Sequence, residues 1–568
     1  MSNPNKPTIA VFSGASATIQ NSPPLVTSNA ARSKHGLPLL TGEDGAPLQF
    51  DVLRPQRLAA PVTVYVEAFS AHPLEGDAVE LYTPPDGYLS PEGNFHSERR
   101  SAEDVPVYEV TLRPEDGPFM LPYMARQADG SAWDDDCAHP NSPAERCRQP
   151  FYPDAARMFD EIDRFGIGEA GVNNLLSSRA RFDFYRAAPP GGYKKGLPEA
   201  ARTDVGSGDV PPETLGEHFF PYRPRHIAQT PPMSKLADLT NMAQEALSGD
   251  KYQGAIWLEG SPHLEETMYW LNLLIDTAFP ISGNASQRPH GQAANDGDRN
   301  IIDSVTYILS GIWADESGRD GVGGVVIQDE QIFTARDVEK GDARPGAFVA
   351  TGGHGGIIGS MCTVGPPRLT FRPIKRHTHN SDVRITSLRD ETSGTLAGED
   401  GPRQVTVRVK DDKGTLLGTA IPRVGIVKHA RYLQPNYSND PDTEVEILSR
   451  IDANLAGFPL AGFVQEGATP YGSSDEVVEG ALKRAIFRGM PVARVGRGSP
   501  QGITPTYPGS LFIAGSNLTA TKARLLLMAC LLKLGSLPLP ANPADPTSDE
   551  VSAIRERIAA YQQIFDTH

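Results

Sequence analysis

Thr18 closes a run of small residues, Gly14-Ala15-Ser16-Ala17-Thr18, that follows the continuous apolar stretch 8–13. A buried strand emptying into small residues marks the carboxyl edge of a parallel sheet, where α/β proteins place their ligands. Glu259, Ser261 and His263 follow a second apolar run, 254–258, and lead into a segment with apolar residues near i, i+3 and i+4. A carboxylate, a hydroxyl and an imidazole so placed suit proton transfer or substrate contact. Each also has a plainer reading: Thr18 lines a turn, Glu259 ends a strand, and His263 opens a helix. Cys137 and Cys147 bracket a segment with His139, near residues 134–136. A zinc knuckle wants closer pairs and two more soft ligands, so a local disulfide or two free thiols is expected, and no metal. The glycine run 352–356 lacks the Gly-Lys-Ser/Thr of a phosphate loop, which leaves His354 as a turn residue. The basic run 372–379 reads as a connecting segment whose Arg and Lys heads are solvated or paired.

These residues need a scaffold, and the chain supplies an alternating one. After Arg225, helix-like segments 234–247, 264–277 and 300–313 alternate with strand-like segments 254–258, 280–282 and 324–328. The polar stretch 387–412 reads as a loop or hairpin. A second alternation follows, with strands at 424–428, 461–465, 491–495 and 511–514 and helices at 444–454, 475–487 and 521–534. An amphipathic helix is expected over 548–565. The stretch 36–225 is different: rich in Pro, Gly and Asp, with strand-like 62–68 and 107–112 and a short helix at 153–165. The pattern predicts an α/β protein with two parallel-sheet lobes plus an inserted α+β region.

Composition narrows the function classes. Lys and Arg number 53 against 70 Asp and Glu, a net charge of −17, which lacks the clustered cations of a nucleic-acid binder. No apolar run reaches the ~20 residues needed to span a bilayer; the longest, 525–532, lies between Arg524 and Lys533. The first residues lack the pattern of a secretory signal, and four cysteines cannot form a disulfide scaffold. A cytoplasmic protein with no nucleic-acid or membrane partner is the expectation.

Several segments then fall in a recognisable order. Ala17-Thr18-Ile19 follows the first strand, and Gly254-Ala-Ile-Trp-Leu-Glu-Gly-Ser-Pro-His-Leu-Glu-Glu-Thr-Met-Tyr-Trp270 joins a strand to a helix. Asn295-Asp-Gly-Asp-Arg-Asn300, Ala335-Arg-Asp-Val-Glu-Lys340, Arg376-His-Thr-His379, and Ile513-Ala-Gly-Ser516 through Lys522-Ala-Arg-Leu-Leu-Leu527 follow. Together they resemble the bacterial-type L-asparaginase/glutaminase family, over about 8–35 and 226–568 but not over about 36–225. The resemblance implies a two-lobe asparaginase-like fold. Its N-terminal lobe would comprise 1–35 and 226–386, with 36–225 inserted, 387–420 as interlobe loop or hairpin, and 421–568 as C-terminal lobe. It also implies a homo-oligomer (dimer or tetramer), no cofactor, and a small-molecule amide as substrate.

Residue by residue, the resemblance makes Thr18 the nucleophile of an acyl-enzyme. It makes Lys340 its base or electrostatic partner and Ser261 a proton relay. Thr230, His263 and Glu259 would contact substrate. The departures are informative. Pro262 stands where the family has an Asp that grips an α-ammonium, and Pro can neither balance a charge nor accept a side-chain hydrogen bond. Thr230-Pro231 replaces the Ser-Gln pair that holds a carboxylate, and residues 20–27 contain no Tyr. The stretch 467–472 replaces Gly-Asn-Gly-Asn, with Tyr471 a candidate phenol. The implied substrate is therefore a carboxamide, lactam or cyclic amide without a free amino-acid head group, with L-Asn a poor one. The alternatives are a catalytically inactive small-molecule binding or regulatory protein, and an enzyme whose insertion supplies new catalytic groups.

Overall fold

The computed structural model describes residues 6–13, 233–261, 263–288, 295–350, 356–362, 365–429, 440–497 and 503–568. It also describes residues 45–46, 53–56, 62–66, 85–90, 95–112, 119–122, 159, 162 and 175–186. The chain divides into two compact units. One comprises Met1–Phe12, Pro232–Ala285 and Asn300–His568, and the other Ser13–Pro231 and Ser286–Arg299.

In the first unit, β1 (Thr8–Ser13) is followed by α1 (Lys235–Leu247), β2 (Ala255–Leu258), α2 (His263–Leu274), β3 (Ile281–Asn284) and α3 (Gly297–Ser310). Next come β4 (Val325–Gln328), β5 (Gln331–Thr334), β6 (Val338–Lys340), β7 (Phe348–Ala350), β8 (Ile357–Ser360) and β9 (Arg368–Leu369). Within this unit the first sheet runs β9-β8-β5-β4-β3-β2-β1. Strands β2, β3 and β4 are parallel, whereas β4-β5, β5-β8 and β8-β9 are antiparallel. Ile9 to Phe12 and Ala255 to Leu258 are buried throughout, as strands covered on both faces require.

A hairpin of β10 (Glu391–Gly398) and β11 (Gly401–Arg408) occupies the polar stretch expected as a loop or hairpin. Beyond it lie β12 (Arg423–Lys428), α4 (Val445–Gly457), β13 (Ala461–Gly467), α5 (Glu476–Ile486), β14 (Val492–Gly496), β15 (Ile513–Ala514), α6 (Ala520–Leu534) and α7 (Ser548–Thr567). The four strands form an all-parallel sheet in the order β12-β13-β14-β15. The α/β class is thus as expected, but only the second sheet is all-parallel; the first is mixed, because β5, β8 and β9 join it antiparallel. One hydrophobic core joins Trp270 and Leu274 of α2 to Phe463 and Val464 of β13 and to Leu525–Leu532 of α6.

Local chemistry sets the element ends. The third helix stops at Ser310 rather than near Trp313, because Gly311 takes φ +67°, a left-handed exit that glycine adopts freely. Gly283 of β3 lies where a Cβ would come within 2.6 Å of Met268 Cγ, so its missing side chain lets α2 pack onto the sheet. Thr547 and Glu550 form a reciprocal capping box at the start of α7. Among the described residues no helix is long and apolar enough to cross a membrane.

The second unit carries the expected strands at Val62–Val66 and Val105–Leu112, paired antiparallel to each other. The helix expected over 153–165 lies largely outside the described residues, as do Cys137, Cys147, His139 and His354.

Candidate active site

The Glu259–His263 cluster forms where β2 gives way to α2. The Glu259 N–H donates to the Asn284 carbonyl at 3.1 Å, which ties the end of β2 to the end of β3. The Leu264 N–H donates to the Gly260 carbonyl, closing a turn around the half-buried Ser261. His263 is the first residue of α2 and is also half-buried. Asn300 braces the neighbouring loops: its Nδ2 donates to the Ala285 carbonyl and its Oδ1 accepts the Asp329 N–H.

Glu259 is 6% exposed. Its carboxylate accepts a hydrogen bond from Trp257 Nε1 at 2.8 Å and is also bonded to Thr267. Phe12 of β1 stacks on Trp257, with ring centroids 5.6 Å apart. Burial raises the Glu259 pKa to about 7, against the lowering pull of its two hydrogen bonds. A carboxyl poised there exchanges its proton near neutrality, as a general acid or base must.

Lys340 ends β6. Its Nζ donates to the Arg344 carbonyl at 2.8 Å and lies 4.7 Å from the Phe348 ring centroid, so these partners sit on its own hairpin. Its backbone N–H donates to Glu265 Oε2 at 2.5 Å. Glu265 lies in the first turn of α2, the helix that the Ser261 loop feeds, so one carboxylate couples that loop to the lysine strand. Lys522 of α6 strengthens the junction. It is 2% exposed, and its Nζ donates to the carbonyls of Glu265 (2.5 Å) and Ala335 (2.7 Å). Burial raises the Glu265 pKa, an effect that the Lys522 charge opposes; burial likewise lowers the Lys522 pKa. Arg524 and Glu266 add an ion pair of 2.6 Å between the same two helices.

Of the six residues singled out in the sequence, Glu259, Ser261, His263 and Lys340 therefore share one unit, with Glu265 as the link. Thr18 and Thr230 lie outside the described residues, as does Pro262. Glu265 and Lys522 went unremarked as functional candidates. Their signal was a charge inside segments that are otherwise buried: ten of the twelve residues of α2 are, including Glu265. Among the described residues no group of three His, Cys, Asp or Glu side chains is arranged to hold a metal ion.

The polar cluster lies at a strand-to-helix turn after the parallel strand β2, at the sheet edge where α/β proteins place ligands. Residues 229–358 match the family model described as "Asparaginase, N-terminal". The glutaminase-asparaginase of Acinetobacter glutaminasificans is 29% identical over 158 residues, covering 28% of this chain and 45% of that protein. L-asparaginase 2 of Bacillus subtilis (strain 168) is 23% identical over 300 residues, covering 52% of this chain and 66% of its own. The alignments thus span less than two thirds of these relatives' lengths. A probable cytoplasmic L-asparaginase of Campylobacter jejuni superposes with a TM-score of 0.41 at 20% identity, covering 59% of this chain and 80% of that one. The likeness to the asparaginase family thus rests on residues 229–358 and on relatives of low identity.

Proposed function

We propose that this chain is a cofactor-independent hydrolase of a non-peptide C–N bond in a carboxamide, lactam or cyclic amide that lacks a free amino-acid head group. The observation that carries this reading is the Glu265 bond to the Lys340 N–H, which couples the Ser261 turn to the strand bearing the lysine. The likeness of residues 229–358 to the asparaginase family model supports amide hydrolysis as the reaction class. Pro262, where a carboxylate would grip an α-ammonium, argues against L-Asn as the preferred substrate.

In this reading Thr18 Oγ attacks the amide carbon, and its proton passes to Lys340 directly or through Ser261. The C–N bond then breaks, the amine leaves with that proton, and water hydrolyses the Thr18 ester to release the carboxylate. Glu259, His263 and Thr230 contact the substrate or its departing group. The working form is a cytoplasmic homo-oligomer.

Mass spectrometry of the protein trapped with a slowly hydrolysed lactone is expected to place the adduct on Thr18. Lys340→Met should lower kcat by at least about a hundredfold, with a smaller change in KM. Full turnover by Thr18→Ala rejects the mechanism. Pro262 also favours a second reading, a binding protein without turnover. Amide-dependent thermal stabilisation with no product released would establish that instead.

A further inference from the structure

We propose that the first unit contains a binding pocket for a small carboxylate with a short branched aliphatic body, in the cavity walled by Arg336, Lys375 and the apolar segment through Ile374. The cavity encloses about 310 Å³, within the size of small-molecule sites, and none of the four described candidate active-site residues lines it.

Its polar end carries two cations, Arg336 and Lys375. Arg336, 6% exposed, spends three of its five N–H donors on the chain. They go from Nε to a main-chain oxygen of His568 (3.0 Å), and from the two terminal nitrogens to Asp337 and Asn517 (2.7 Å each). Two guanidinium N–H groups are left over. Lys375 is half-buried, and its Nζ donates to the Asp566 carbonyl at 2.7 Å, which uses one of three donors.

The two cations oppose each other. Burial lowers the Lys375 pKa, and the Arg336 charge lowers it further, while Asp566 and Asp337 pull the other way. An anion between like charges relieves that cost. Lys375 is the lining cation without an ion-pair partner among the described residues. Asp337 is held by Arg336 and by Thr334 Oγ1, and Arg376 pairs with Asp382. His377 is neutral, because burial lowers its pKa to about 4.

The rest of the wall is apolar. Val322, Phe371, Pro373 and Ile374 line it, and Ile374 is 88% exposed. Guanidinium and ammonium donors beside such a wall match a carboxylate head with a compact hydrocarbon body.

The test titrates the full chain with sodium isovalerate, followed by thermal unfolding and ligand-observed NMR. Saturable stabilisation is expected, with none from isoamyl alcohol at the same concentration. Lys375→Gln should weaken isovalerate binding about tenfold, and Lys375→Arg should retain it. Equal binding of the alcohol overturns the proposal, as does unchanged affinity in folded Lys375→Gln or no saturable shift up to about 10 mM. Affinity lost in Ser261→Ala but kept in Lys375→Gln would move the carboxylate to the other site, and overturns it too.

Discussion

Glu259 is the residue at which stability and function meet. Its ordinary pKa of 4.5 is raised to about 7 because the buried carboxyl resists ionisation. An acid raised on folding holds its proton longer in the folded chain than in the unfolded one. Its contribution to stability is therefore fully present below about pH 4.5, declines as pH rises, and is gone above about 7. Glu259→Gln cannot ionise and keeps an acceptor for Trp257 Nε1. The variant should match the wild type near pH 4.5 and exceed its unfolding free energy by about 3 kcal/mol at pH 8. Urea unfolding of both proteins at the two pH values checks this, and a difference independent of pH would show that the carboxyl ionises normally. If Glu259 also moves a proton in turnover, the limb of the pH–rate profile near 7 should disappear in the same variant.

At the scale of elements, α2 is the keystone of the proposed site, because its first turn bonds both the lysine strand and α6. Glu265→Ala removes the acceptor of the Lys340 N–H and leaves Lys522 buried without its nearest countercharge. A loss of about 3 kcal/mol in stability is expected, together with a fall in kcat. Glu265→Gln, which keeps an acceptor, should restore much of the kcat, whereas a purely structural role would restore stability alone. Comparing Tm and kcat across the three proteins decides between them. Most elements around this turn were legible in the sequence. Apolar runs such as 254–258 and 461–465 are buried strands, and the helix expected over 475–487 is α5. Legibility failed where tertiary context decides. Lys522 precedes the apolar run 525–532, whose pattern says nothing of a buried charge, yet α6 buries this lysine against backbone carbonyls. The link from Glu265 to Lys340 joins residues 75 apart, and the isovalerate pocket draws on distant segments, so no local pattern announces either. The turn at Gly311 was legible in principle, since glycine alone accepts that φ without strain.

Across the whole molecule, opposing titrations set the pH of greatest stability. Glu259 and Asp320 are both raised to about 7 by burial, and Glu265 is raised too, so each favours lower pH through the range from about 4 to 7. The net charge of −17 adds self-repulsion that grows above the isoelectric point near 5.3. The histidines act in the other direction. His377 and His568 are lowered from 6.5 to about 4, chiefly by burial, so they are neutral in the fold. A base depressed on folding contributes stability that is full above about 6.5 and is lost as pH falls through about 4. Protonated His568 cannot accept the Asp382 N–H at Nε2, a bond that helps dock the end of α7 beside residues 376–382. Exposed carboxylates held low by neighbours, such as Asp342 at about 2 beside Arg344, add their loss only in stronger acid. The terms cross between about pH 5 and 6.5, and Tm should peak there rather than at mildly alkaline pH. Thermal unfolding at constant ionic strength from about pH 4 to 9 measures the peak. A Tm that keeps rising to about pH 8 would mean that the buried carboxyls ionise without penalty. On the acid side, hydrogen exchange should show α7 losing protection before the β12–β15 sheet, because the contact that fails first belongs to that helix.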